Sequence, residues 1–251
     1  MTGSSSRTLI VANRDGLVAT GAGESPVRVS PTWAAPPDTH RLVMLGDTAP
    51  LASAELRVIR HRLEQKRADG MWIFGVTSAR DGEGKSTFAS QLSLVLSESQ
   101  RARVLLVEAN FVRPSIAKLM GFEVQPGMGF SNQLAKKMRG SMDPWTVSAL
   151  GPALHILAES TTEPPSPEAL HSTHFTNAIG FLSRGYDFVI VDSPSVLGSG
   201  DANVVENAID GMIVVARSGV TKGIDLKRAA KQLGERKALG VVLWDAASFR
   251  R

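Results

Sequence analysis

Nine consecutive residues, Ala79-Arg80-Asp81-Gly82-Glu83-Gly84-Lys85-Ser86-Thr87, carry the clearest chemical signal in the chain. They fit the phosphate-loop pattern with Ala79 in place of its first glycine. A glycine-bearing loop can curl so that successive backbone N–H groups face an anion, and a helix starting at its end adds a positive pole. Gly82, Glu83 and Gly84 would form that cradle, Lys85 would reach the β and γ phosphates, Ser86 would ligate Mg2+ and Thr87 would contact the α phosphate. The cofactors expected are ATP and Mg2+.

A phosphate loop of this kind works with a carboxylate that holds the magnesium shell through water. Asp192 is placed for that role, because it ends the apolar run FVIVD and the following Ser193-Pro194 breaks the strand and turns the chain outward. A third apolar run, VLLVEANFVRP, ends in Glu108 with Asn110 two residues on. Residues i and i+2 of an extended segment share a side, so both could face the phosphates, and Glu108 is a further candidate to ligate or activate there. His171 and His174 have helical spacing but no third ligand, and read as helix-surface residues. Tyr186, the one tyrosine, sits at the entry to the Asp192 strand and reads as a packing residue.

These groups need elements to hold them. MWIFGVT reads as an apolar strand ahead of the loop, and STFASQLSLVLSESQ as a helix after it. ALHILAE, DGMIVVARS and LGVVLWD add strands to the two that end in Glu108 and Asp192, with a short helix near Pro114 and helical stretches around residues 167–184, 201–208 and 222–235. Near-continuous Val, Ile and Leu runs alternating with helices predict a doubly wound α/β fold, a mostly parallel sheet with helices on both faces. Ligands of such sheets bind beyond the carboxyl ends of the strands, where the loops after Val76, Val107 and Val191 should converge. SAELRVIRHRLEQKR places Leu56, Ile59 and Leu63 on one helical stripe. Residues 1–50 are rich in Ser, Gly, Pro and Thr, and are expected to be a mostly disordered tail ahead of a nucleotide-binding domain spanning 51–251.

Bulk properties narrow the function. The chain of 251 residues carries a net charge of +4, with no basic stripe interleaved with aromatics, so no nucleic acid partner is expected. No apolar run approaches the roughly 18 to 20 residues that span a bilayer, and the first residues lack the pattern of a secretory signal. Absence of cysteine excludes disulfides and thiolate metal sites and fits a cytoplasmic home.

Taken together, the strand-end elements resemble the bacterial tyrosine kinase family, cytoplasmic ATPase modules of capsule and exopolysaccharide assembly systems. VTSARDGEGKST is similar to the family's Walker A, VLLVEANFVRP to its Walker A′, and YDFVIVDSPSVLGSGDA to its Walker B with the trailing Asp201-Ala202. AELRVIRHRLE is similar to the family's oligomerisation helix, which points to Glu55 and Arg57 as assembly residues. About 200 residues are covered. The chain departs from the family at Glu108 and Asn110, where two aspartates are usual, at Trp244, where asparagine is common, and in DAASFRR, which has no tyrosine cluster. The wider MinD and ParA relatives carry an additional phosphate-loop lysine that is absent here.

The resemblance implies an ATP-binding kinase-type protein that works with a membrane-anchored, Wzz-like polysaccharide co-polymerase, forms a homo-oligomer, and reaches the inner membrane through that partner. Two other readings stand beside it: a non-catalytic, nucleotide-gated scaffold, and a positioning ATPase of the MinD or ParA kind.

Overall fold

Runs of Val, Ile and Leu become the strands of one sheet, the central ones buried on both faces. The computed structural model describes residues 27–31, 42–45, 50–234 and 237–244. Strands are β1 (Val27–Pro31), β2 (Ile73–Ser78), β3 (Val104–Glu108), β4 (Trp145–Ala149), β5 (Leu154–Leu157), β6 (Phe188–Asp192), β7 (Gly211–Arg217) and β8 (Ala238–Trp244). Helices are α1 (Pro50–Ala68), α2 (Lys85–Ser97), α3 (Ile116–Met120), α4 (Phe130–Met138), α5 (Thr173–Ser183), α6 (Asp201–Asn207) and α7 (Gly223–Gln232). The strands form one sheet in the order β1-β4-β5-β3-β6-β2-β7-β8. Every pairing is parallel except β4 with β5. This is the mostly parallel, doubly wound α/β fold that the alternating pattern predicts.

Alternation along the buried strands builds two cores. Ile73, Leu105, Val107, Val189, Val191, Met212 and Val214 face one side, where Phe130, Phe175, Ile179 and Leu182 of α4 and α5 cover them. Phe74, Val76, Leu106, Ile190, Ile213 and Val215 face the other, under Leu56 and Leu63 of α1 and Phe88, Leu92 and Val95 of α2. All residues of β2, β3 and β6 are buried, so the three strands that carry the site are the most deeply enclosed.

Two pieces of the segment expected to be a mostly disordered tail pack on the domain. Residues 27–31 pair in parallel with β4, Val27↔Trp145 through Pro31↔Ala149, and Val27 is buried in the first core. Leu42 is buried under α2, and Met44 N–H donates to Gln91 Oε1 at 3.1 Å. A short Val-x-Val segment gains its stability as an edge strand on β4, more than a hundred residues away, a contact that local composition does not register. The remainder of residues 1–50 before α1 lies outside the described residues.

Candidate functional site

Parallel pairing places three strand ends side by side. Val76 of β2 lies in register with Asp192 of β6, and Asp192 with Glu108 of β3. The chain after Asp192 continues along β2: Ser193 N–H bonds Val76 O, Val196 N–H bonds Ser78 O and Leu197 N–H bonds Ala79 O, each at 2.9 to 3.0 Å. Thr77 Oγ1 also donates to Pro194 O at 2.7 Å. The Asp192 segment and the phosphate loop are thereby laced together.

Gly82 (φ 83°) and Gly84 (φ 94°) take the left-handed conformation, which glycine alone adopts without strain. Gly84 has a second constraint, since a Cβ there would lie 2.6 Å from Cδ1 of Trp244, whose ring also meets Phe88 edge-on at 5.7 Å. Gly84 is the N-cap of α2 and no side chain caps that helix, so its first-turn N–H groups face the loop as an anion cradle. Ser78 Oγ donates to Arg80 O at 2.6 Å, and Arg80 N–H donates to Glu83 Oε2 at 2.9 Å. The Glu83 side chain thus shapes the loop from within. Its carboxylate would repel phosphate, so the part of Glu83 in the cradle falls to its backbone N–H.

Lys85 and Thr87 are buried, Ser86 is half-buried, and Asp192 is fully enclosed. Neither carboxylate oxygen of Asp192 has a hydrogen-bond partner, whereas buried carboxylates are ordinarily satisfied. Burial pushes Asp192 up to about 6, opposed by the Lys85 charge and the Ser86 hydroxyl. An orphaned acid beside a lysine, a hydroxyl and an uncapped helix start fits a magnesium-bound polyphosphate. Ser86 would ligate the metal, and Asp192 would hold its water shell. Among the described residues no group of three or more His, Asp or Glu is placed to hold a metal ion.

Glu108, expected as a further catalytic candidate, stands beside Asp192, but its carboxylate is occupied by backbone donors rather than left open. Its Oε1 accepts from Ser115 N–H (2.5 Å) and Ile116 N–H (2.9 Å) at the start of α3, and its Oε2 accepts from Glu159 N–H (3.0 Å). Burial and the neighbouring Asp192 charge raise it to about 7 against these three donors. Asn110 turns back locally, Nδ2 donating to Arg113 O at 3.2 Å. Glu159 was missed by sequence reasoning although it ends the strand ALHILAE, the same acid-after-strand signal that marked Asp192 and Glu108. Its own carboxylate accepts from Ser131 N–H of α4 at 2.7 Å and Ser160 N–H at 3.0 Å, and burial raises its pKa.

The other expected residues fall outside the site. Tyr186 bonds His155 Nδ1 at 2.8 Å in a packed, largely enclosed pair, as a packing residue should. His171 lies before α5 and contacts Asp201 at 2.9 Å, while His174 is on the helix, so the two do not share a helical face. Arg57 of α1 pairs within the chain with Glu98 at 2.5 Å, and Glu55 is exposed.

The architecture and the loop define a P-loop nucleotide-binding fold. No protein-family profile matches the chain. Tyrosine-protein kinase YwqD of Bacillus subtilis strain 168 is 30% identical over 208 residues, covering 81% of this chain and 85% of YwqD. Tyrosine-protein kinase CpsD of Streptococcus agalactiae serotype III is 30% identical over 176 residues, covering 68% and 73%. The chain belongs to the bacterial tyrosine-protein kinase family. Solved structures agree on the fold: the chimerical protein CapA2B2 superposes with a TM-score of 0.69 at 23% identity over 85% of this chain and 93% of that one. The BceF tyrosine kinase domain gives 0.66 at 24% identity over 87% and 83%.

Proposed function

We propose that the chain binds Mg-ATP at residues 82–87 and serves as the kinase-type ATPase of a system that assembles or exports a surface polysaccharide, working at the membrane through a co-polymerase partner. The observation that carries the nucleotide reading is the unpartnered, buried Asp192 facing Lys85 and Ser86 at an uncapped helix start. The polysaccharide setting and the partner rest on family membership. Among the described residues no helix is long and apolar enough to cross a membrane, which leaves membrane contact to a partner or to other segments.

Each residue has a defined task. The α2 N-terminus and the loop N–H groups orient the phosphates, Lys85 balances the β and γ charge, and Ser86 with Asp192 positions the metal. Bound Mg2+ would supply electrophilic stabilisation of the charge on the transferring phosphoryl group. Tyr186 is held by His155, and burial pushes its hydroxyl well above its ordinary value, so the acceptor of any phosphoryl transfer lies on another protein.

Lys85→Ala tests the site, because it removes the charge partner while leaving the core intact. Titration with a fluorescent ATP analogue should show a loss of about a hundredfold, a difference near 2.7 kcal/mol. Affinity within about twofold of the parent would remove this loop from consideration.

One observation favours a second reading, a nucleotide-gated scaffold. Glu108 is occupied by three backbone donors and Asn110 is neutral, so the Walker A′ segment places no free carboxylate against the phosphates. Steady-state ATP turnover separates the two readings: a scaffold binds nucleotide without phosphoryl transfer.

A further inference from the structure

We infer that Arg80 and Asp225 form a positioning pair that holds the phosphate loop in its binding-ready shape and ties α7 to the nucleotide site. The inference rests on the reading that ATP binds at residues 82–87. Arg80 enters the loop fixed at three points. Its carbonyl accepts from Ser78 Oγ, its N–H donates to Glu83 Oε2, and its guanidinium forks onto Asp225 with Nε–Oδ2 at 2.7 Å and Nη2–Oδ1 at 3.1 Å. Asp225 stands in the first turn of α7, and its side chain is 7% exposed against 57% for Arg80. A bidentate fork onto an enclosed carboxylate specifies geometry in a way that a single surface contact does not.

The neighbouring residue is braced differently. Asp81 meets Arg113, on the loop after β3, at 2.8 Å, but the two side chains are 37% and 69% exposed, so solvent and salt screen that contact. The Arg80 fork is the firmer brace. It acts where the backbone has most freedom to lose, because Gly82 and Gly84 reach many conformations in an unbraced loop. A loop already shaped for phosphate avoids the ordering entropy that a slack one would spend on binding.

Charge alone and positioning predict opposite signs, which makes the pair testable. If Asp225 were an electrostatic bystander, Asp225→Asn would free the Arg80 cation beside the polyphosphate and tighten binding. If Asp225 anchors Arg80, the same change slackens the loop and weakens binding. Dissociation constants for a fluorescent ATP analogue are measured for the parent, Arg80→Ala, Arg80→Lys, Asp225→Asn and the Arg80→Ala/Asp225→Asn double variant, with Lys85→Ala alongside and circular dichroism confirming each fold. Arg80→Ala and Asp225→Asn should each weaken binding about tenfold, the double variant no more than either, and Arg80→Lys should fall between, since it keeps the charge without the fork. Unchanged or tighter binding by Asp225→Asn, or losses that add in the double variant, overturns the inference. Should a single variant fail to fold, Arg80→Lys decides: parental affinity overturns the pair, an intermediate loss supports it. If Lys85→Ala also binds as the parent does, the phosphate-loop reading itself has failed; if Lys85→Ala loses binding while Arg80→Ala does not, only the positioning pair has.

Discussion

Glu108 shows how far a residue's chemistry can depart from its position. It ends a buried strand in register with Asp192, yet its carboxylate is occupied by the Ser115, Ile116 and Glu159 N–H groups. Removing it would leave three backbone donors unpaired, those of Ile116 and Glu159 enclosed, at roughly 1 to 3 kcal/mol per enclosed donor before relaxation, so Glu108→Ala should destabilise the protein by about 3 kcal/mol in urea unfolding. Nucleotide affinity, measured where the variant remains folded, should stay within about threefold of the parent. A stable variant that has lost ATP binding would return Glu108 to the site. The strand-end position of this acid was legible in the sequence; its direction was not. Its partners lie 7, 8 and 51 residues further along the chain, and a side chain with three free torsions chooses among them only once α3 and β5 are in place. Lys85 was legible because strand, loop and helix place it locally, and the strand-end position of Asp192 because Ser193-Pro194 breaks its apolar run.

At the scale of elements, α1 separates a folding role from an assembly role. Leu56 and Leu63 are nearly fully enclosed against α2, whereas Glu55 and Val58 are exposed on the same helix. Leu56→Ala or Leu63→Ala should therefore cost about 2 to 5 kcal/mol of stability, with the helix loosened from α2. Glu55→Lys should leave the melting temperature within about 2 °C of the parent, as surface changes do, while lowering the sedimenting mass of any oligomer. A fall in mass for both classes of variant at unchanged stability would put the interface on the inner face and contradict the assignment. The apolar stripe of α1 was visible in its spacing of three and four. By contrast α4 lacks a Ser, Thr or Asp cap of its own and borrows Glu159 from just beyond β5, and β1 is a short strand whose pairing partner is remote. Elements that depend on distant residues for their caps or edges leave little trace in local pattern.

For the molecule as a whole, the site is held at the expense of stability. The paired strand ends enclose Asp192 completely, with neither oxygen satisfied, and its pKa is raised from an ordinary aspartate value to about 6. A carboxylate that binds its proton more tightly when folded stabilises the folded state most at low pH. That contribution falls as pH rises through the unfolded value and is lost above about 6. The nucleotide-free protein therefore carries a penalty at pH 8 that is absent at pH 4, and Asp192→Asn should relieve it. Melting of the nucleotide-free variant should occur a few degrees above the parent at pH 8, with a smaller difference or none at pH 4. Saturating Mg-ATP reverses the ranking, because a ligand that binds only the folded state stabilises in proportion to the logarithm of its excess over Kd, and the variant has lost the group that holds the metal shell. The parent's Mg-ATP shift should exceed the variant's by several degrees at pH 8. If Asp192→Asn melts below the parent without nucleotide at pH 8 and still gains the full Mg-ATP shift, then Asp192 is a structural acid and the magnesium shell is organised elsewhere.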